Sequence, residues 1–456
     1  MTAVVRDPSR QRSDGSLARL RVLVLAYMVS PYRGSEYSVA WNHITHMAEV
    51  CDLTVLYGAA GPHMGDTAEL EEHLQRHPVP HVRFIAVAPG GAAQWLNTAN
   101  RHGWLTYTFY LAYRLWHRRV YEVAADLVRQ ERFDLVHYLG PIGYREPGYL
   151  WRLGLPYVWG PIGGATNVPR QLLGALPMAG RFKLRLRAVV NWFQLRCSRR
   201  VGYALANTDV LLTATTENQD IFRRIRHKES LYLPENGING GIALDRTKFA
   251  VLDPIALIWI GSVEARKALK ILVNALSKAR RPDRFLVHVV GDGPLRAGLQ
   301  AQAIELGLEA SFVWHGQVPR DVVRRLLSVS HLHVVTSLSE GNPTTIWEAM
   351  SCGVPTMTLD HCGMRDIVTS ASGVKVPLGD YAQVVDGFAR ELDELAEQPE
   401  RLVAMAESVL KEAPRHHCDH RVPYFLSRYA DALKLRHGRP ASMCAVALAA
   451  HPGRDA

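Results

Sequence analysis

The chain has 456 residues, is 48% hydrophobic and 21% charged, and carries a formal net charge of +10. That length and apolar content suffice for two domains with a core each, and they exclude a low-complexity coil or a small scaffold that depends on disulfides. No apolar run reaches the roughly 18 residues of a spanning helix, and the six cysteines, Cys51, Cys197, Cys352, Cys362, Cys418 and Cys444, show no CxxC spacing, so reduced thiols are expected.

In chain order, residues 1–16 are polar and Arg-rich without a signal-peptide core, and they read as a disordered tail on a cytoplasmic protein. Residues 17–240 then alternate strand-like runs with helical stretches. The strands are Leu20–Tyr27, Asp52–Tyr57, Val82–Val87, Phe133–Tyr138, Leu155–Trp159 and Asp209–Thr213. The first runs into Pro31-Tyr32-Arg33-Gly34-Ser35-Glu36 and a helix starting near Ser38. Gly34 and Ser35 let backbone approach a ligand, while Arg33 and Glu36 either face a cleft or belong to a simple loop. Gly140-Pro141-Ile142-Gly143 and Gly160-Pro161-Ile162-Gly163-Gly164 follow successive strands, where small residues make room for a ligand. His137, at a strand end before the first of them, is the imidazole candidate, with a structural role as the alternative. The segment Arg181 to Arg187, continued by Asn191-Trp192-Phe193 and Arg196 to Arg200, suits either an anionic surface or a plain solvated basic face.

The turn-rich Pro234 to Gly241 is a hinge candidate before a second set, residues 241–420. Its strands are Ile255–Ile260, Phe285–Val290, Phe312–His315, His331–Thr336 and Thr356–Leu359. His416-His417-Cys418-Asp419-His420 has zinc-like spacing but lies in a polar connector, so no metal is expected. Residues 421–437 read as a further helix and 438–456 as a tail, with Ala445 to Ala450 too short for an anchor. The fold class is α/β, with two doubly wound Rossmann-like domains facing a central cleft.

The densest chemistry lies in Ser339-Glu340-Gly341-Asn342-Pro343-Thr344-Thr345-Ile346-Trp347-Glu348, where two glutamates with seven residues between them straddle a strand-to-helix junction. Thr344 and Thr345 are the expected N-cap residues. Ligands of open α/β sheets bind at the carboxyl ends of strands, where a helix N-terminus attracts phosphate. Carboxylates beside such a site suit hydroxyls on either side of a diphosphate, one on a sugar and one on a ribose, and the spacing suggests a nucleotide sugar.

Residues Ser337 to Val368 resemble the retaining glycosyltransferases of family 4 (glycosyl transferases group 1, GT-B fold), whose paired glutamates precede Glu-Ala-Met-x-x-Gly-x-Pro. Gly363 and Asp366-Ile367-Val368 continue the pattern. The resemblance implies that Glu340 contacts the donor sugar and Glu348 holds the ribose. It also implies an N-terminal acceptor domain, a nucleotide-sugar domain over 241–420, and a helix at 421–437 crossing back to the first domain. Lys267 matches the lysine that grips the donor diphosphate, next to Gly261. Ser262, however, stands where the family has arginine and Ala268 where it has glycine, leaving Arg266 as the substitute cation. Gly291-Asp292-Gly293-Pro294 matches the family's turn after the next strand and His315-Gly316-Gln317-Val318 the segment that cradles the nucleobase, while after Gly341, also assigned to the donor site, Asn342-Pro343-Thr344 replaces the commoner Phe-Gly-Leu of the sugar pocket. In the first domain the resemblance puts Gly34 and Ser35 beside the diphosphate, and Arg33, Glu36, Gly163 and Gly164 near the acceptor.

The implied activity is transfer of a hexosyl group from a UDP-sugar, such as UDP-N-acetylglucosamine or UDP-glucose, to a hydroxyl of a small molecule, lipid or saccharide. Configuration is retained and no cofactor or metal takes part. A lipid acceptor would bring the protein to the inner membrane surface as a peripheral contact with anionic lipid. A non-catalytic nucleotide-sugar-binding subunit is the alternative, given Ser262. No G-x-G-x-x-G supports a nicotinamide enzyme, and no zinc finger or RNP motif supports nucleic acid.

Overall fold

The computed structural model describes residues 19–34, 36–59, 67–101, 108–141, 143–176 and 178–437. The expected tails, Ser35 and Ile142 lie outside them. The first elements are β1 (Leu20–Ala26), α1 (Glu36–Met47), β2 (Cys51–Gly58), α2 (Ala68–Arg76), β3 (Val82–Val87), α3 (Gly91–Arg101), α4 (Thr108–Gln130) and β4 (Leu135–Gly140). They are followed by β5 (Tyr157–Ile162), α5 (Met178–Cys197), α6 (Arg199–Asn207), β6 (Val210–Thr213), α7 (Thr216–Arg226) and β7 (Leu231–Tyr232). The strands form a sheet in the order β3-β2-β1-β4-β5-β6-β7. β3, β2, β1, β4 and β5 pair in parallel, with Val24 of β1 opposite Val55 and His137. β1 is a continuous apolar run whose Val22 to Ala26 are buried whichever way they point, as a parallel strand covered on both faces requires.

The second series is β8 (Ile255–Ile260), α8 (Leu269–Lys278), β9 (Phe285–Val290), α9 (Arg296–Glu305), β10 (Phe312–Gly316), α10 (Arg320–Val329), β11 (Leu332–Val335) and α11 (Thr344–Ser351). Then come β12 (Thr356–Leu359), α12 (Cys362–Ile367), β13 (Gly373–Val376), α13 (Tyr381–Glu397), α14 (Glu400–Glu412) and α15 (Arg421–His437). Their sheet is parallel throughout, in the order β10-β9-β8-β11-β12-β13. Its core joins Leu257, Val287 and Met357 of the strands to Leu272 of α8 and Phe388 and Leu392 of α13, all fully buried. Asp380 and Gln383 start α13 with a capping box. Phe388→Ala would open a cavity there at a cost of about 3–5 kcal/mol.

Both sheets are Rossmann-like, and each reverses its strand order once, between β1 and β4 in the first and between β8 and β11 in the second. In such sheets the loops leaving those two strands diverge to opposite faces and open a crevice. The chain groups into two compact units. One holds the described residues up to Gly160, Arg200–Leu212 and the chain from Val422; the other holds Pro161–Arg199 and Thr213–Arg421. Within the first, α15 sets Phe425 against His43 and Tyr429 against His137. Within the second, Ile238 of the expected hinge bridges to His417, and Gly237 packs so closely on the His416 carbonyl that a Cβ would lie 2.6 Å from its oxygen. Among the described residues, no helix is long and apolar enough to cross a membrane.

Candidate functional site

The reversal in the second sheet brings together the loops after β8 and β11. Leu338 N donates to Arg266 O at 2.9 Å. Thr336 Oγ1 donates to Lys267 O at 2.8 Å and accepts from Trp259 Nε1 at 3.0 Å, so the two loops are tied through backbone and a buried hydroxyl. Glycine is required at two neighbouring close approaches. At Gly291, with φ +128°, a Cβ would lie 1.9 Å from Gly261 O, and at Gly363 it would lie 1.5 Å from Gly341 O. Gly363 N in turn donates to Glu340 O at 3.1 Å, so the backbone of the first glutamate is held from the start of α12.

On this frame the charges converge. Lys267 Nζ lies 2.6 Å and Arg266 Nη1 2.5 Å from the same oxygen, Glu340 Oε1. Arg266 also donates to Ser339 O at 3.2 Å and to Glu264 Oε1 at 3.0 Å. The sequence separation of Arg266 and Glu340 is 74 residues, and only the strand order makes them neighbours. Arg266 remains 37% and Lys267 20% exposed, so both can meet an anionic ligand from solvent. Ala268, next in the chain, is in the left-handed region at φ +49° as the N-cap of α8, a conformation that costs a non-glycine residue about 1–2 kcal/mol. This accounts for the glycine of the resembled pattern at that position.

Glu348 lies on the second turn of α11, 3.7 Å from Nη2 of Arg320. Burial pushes its carboxyl above the ordinary value, and Arg320 opposes the shift. Arg320 opens α10 directly after the exposed Gln317 and half-buried Val318, so the second glutamate and the β10–α10 loop share one locus. The structure thus gathers Gly261, Arg266, Lys267, Gly291, Glu340, Gly341 and Glu348 around the strand ends of one sheet. Ser262 is exposed, and its carbonyl accepts from Glu264 N at 2.8 Å.

Other expectations are corrected. Pro343, not Thr344 or Thr345, is the N-cap of α11: its backbone is extended at ψ 117°, both threonines are already in the helix, and no side chain caps it. The Asn342 side chain is buried and engaged on both ends, donating to Asn236 O at 3.4 Å and accepting from Trp347 Nε1 at 2.6 Å; it fastens the hinge segment rather than meeting a ligand. His137 is fully buried on β4. One ring nitrogen is 2.8 Å from Gly160 O and the other 2.8 Å from Tyr429 Oη, so neither is left for a substrate. Burial depresses its pKa to about 4, which keeps the ring neutral. The sequence put it at a strand end, whereas Gly140 closes that strand three residues later.

In the first unit, Arg33 is paired with Glu69 at 3.0 Å and lies over the Tyr37 ring at 5.3 Å, Gly34 follows it, and Glu36 starts α1. Gly163 and Gly164 fall in the second unit. There Ala165 N donates to Asn218 Oδ1 at 3.0 Å and its carbonyl accepts from the buried Asn191 at 2.7 Å. Sequence reasoning missed a neighbouring cluster, Glu217, His361 and Cys362, the one convergent group of potential metal ligands among the described residues; His416 to His420 do not form one. Its imidazole lies between its partners, Cys362 Sγ 3.0 Å from one ring nitrogen and Glu217 Oε2 3.6 Å from the other. The three donor atoms lie within 4.8 Å of one another, but burial pushes the thiol, which must ionise to hold a metal, up to about 12.

Residues 244–410 match the family model described as glycosyl transferases group 1. Over 120 residues the chain is 33% identical to a lipopolysaccharide 1,6-galactosyltransferase of Salmonella typhimurium, covering 25% of this chain and 33% of that one. Over 325 residues it is 26% identical to a 2-deoxystreptamine N-acetyl-D-glucosaminyltransferase of Streptomyces fradiae, covering 64% and 70%. The chain spans about a third to a half of the length of the first curated relatives it matches. The crystal structure of Anabaena HepE in complex with UDP and glucose superposes with a TM-score of 0.57 over 90% of this chain and 100% of that one; at 15% identity the likeness is one of fold, the GT-B kind. The stretch that matches the glycosyl transferases group 1 model thus contains most of the second series, with the glutamate pair and both cations.

Proposed function

We propose that the protein is a retaining glycosyltransferase that takes a hexosyl group from a UDP-sugar, glucose or N-acetylglucosamine in the first instance, and places it on a hydroxyl of a small-molecule, lipid or saccharide acceptor. The observation that carries the reading is the convergence of Arg266 and Lys267 on Glu340 at the reversal of the second sheet. An arriving diphosphate offers both cations a new partner, and the carboxylate they release is then placed to accept from sugar hydroxyls. Arg266 thereby supplies the charge missing at Ser262. Glu348 accepts from the ribose, and the backbone at Gly291, Gln317 and Val318 lines the phosphate and base. HepE, solved with UDP and glucose, and the Streptomyces N-acetylglucosaminyltransferase lend support to the donor class.

In the reaction the bond from the anomeric carbon to the diphosphate oxygen breaks and one to the acceptor oxygen forms on the same face, while the acceptor's proton passes to the leaving diphosphate. Lys267 and Arg266 stabilise the charge that develops there without a metal. A non-catalytic donor-binding subunit is the second reading, favoured by the serine at position 262. Incubating the purified protein with UDP- and GDP-sugars and following nucleotide release separates the two. Release of UDP that Lys267→Ala abolishes supports the transferase, whereas donor binding without any release, at every acceptor tried, leaves the subunit.

A further inference from the structure

Helix α5 has two apolar sides. With about 100° per residue, Leu184, Ala188, Asn191 and Leu195 fall on one side, and all four are buried or half-buried. Asn191 anchors that side on Ala165 O. Well away from it lies a second stripe, Met178, Phe182, Leu186, Val189 and Phe193, which the fold leaves in water; Phe182 is 70% and Phe193 59% exposed. A surface helix ordinarily turns charge outward, and a contiguous apolar stripe of this kind marks a binding face. Lys183, Arg185 and Arg196 border it, Arg196 lying over the Trp192 ring at 4.7 Å, and no Asp or Glu occurs anywhere between Met178 and Cys197.

We propose that α5 is a docking surface for an anionic lipid bilayer, lying in the interfacial plane with the stripe among the upper acyl chains and the flanking cations on lipid phosphates. Two features select this occupant. The stripe stands on one convex helix rather than in a groove, and its charge is of one sign. A second copy of the chain docking through the same face would bring cations against cations. The inference stands apart from the donor site, so its failure leaves the transferase reading untouched.

The test is sedimentation of the full chain with vesicles of phosphatidylcholine alone, or with about 30% phosphatidylglycerol. Expected are partition to the anionic vesicles only, weakening as salt is raised, and a loss of about tenfold or more in Phe182→Ser/Phe193→Ser and in Lys183→Glu/Arg185→Glu. UDP-sugar affinity and thermal unfolding of both variants should match wild type, which shows that they fold. The proposal is overturned if wild type ignores anionic vesicles at low salt, or if both variants partition as wild type does. It is also overturned if the apolar variant abolishes a dimer seen by analytical ultracentrifugation while no form binds lipid, since the stripe then serves a second copy.

Discussion

The two sheets reverse their strand order in the same way, yet their reversal points differ in chemistry. After β8 and β11, Arg266, Lys267, Glu264 and Glu340 meet in a partly exposed cluster. After β1 and β4, Arg33 is taken up by Glu69, and His137 is sealed between Gly160 and Tyr429. Topology makes two reversal points, and only the second carries a partly exposed pair of cations, on which the proposed diphosphate site rests. At the first reversal point the charged Arg33 is already paired and the imidazole of His137 is out of reach of solvent.

The largest effect should come from the charged side. Lys267→Ala is expected to lower turnover by about 10²–10³-fold, the cost of removing one preorganised charge at a leaving group, measured as UDP release at saturating donor. Glu348→Ala should weaken donor binding by about 1–3 kcal/mol, the loss of a charged hydrogen bond, read by calorimetric titration, with unfolding temperature little changed.

His137→Phe, on the silent side, should leave donor affinity intact while lowering stability by roughly 1–3 kcal/mol, because the Tyr429 hydroxyl and Gly160 carbonyl lose a buried partner. His137 also sets a pH dependence. Its folded pKa, about 4, is below the ordinary 6.5, so between those values the unfolded chain binds a proton that the folded chain does not. Stability contributed by the neutral ring is therefore present above about pH 6.5 and lost as pH falls towards 4, by roughly 3 kcal/mol at most, and denaturant titrations of His137→Phe should show a shallower acid limb. The smallest change should follow Arg33→Ala, whose exposed ion pair is worth about 1 kcal/mol or less. Donor affinity equal to wild type there would sharpen the contrast between the crevices, and a loss as large as that of Lys267→Ala would break it.

Much of this was legible in the sequence because parallel strands are unbroken apolar runs. Val82–Val87, Ile255–Ile260, Phe285–Val290 and Thr356–Leu359 coincide with β3, β8, β9 and β12 to the residue. β13, Gly373–Val376, was hidden by its length and its opening glycine, and β7 has only two residues. Lys267, Glu340 and Glu348 were visible as motif residues, but that both cations grip one carboxylate oxygen depends on strand order, which no local pattern encodes. The same holds for Glu217 with His361 and Cys362, brought together from distant loops. His137 misled because a strand-end position says nothing of what packs over it, here a tyrosine 292 residues away on α15. Asn342 misled because its partner Trp347 sits on the next helix, looking from sequence like one more residue of the pocket.

Calorimetric titration of UDP-glucose and UDP-N-acetylglucosamine into wild type and the Arg266→Ala/Lys267→Ala double variant tests the charged reversal point most directly. Binding of one donor by wild type, weakened at least about tenfold in the double variant, is the predicted result. Equal affinity in both proteins, or no nucleotide sugar bound by wild type, would contradict the assignment of the second sheet's crevice to the donor diphosphate.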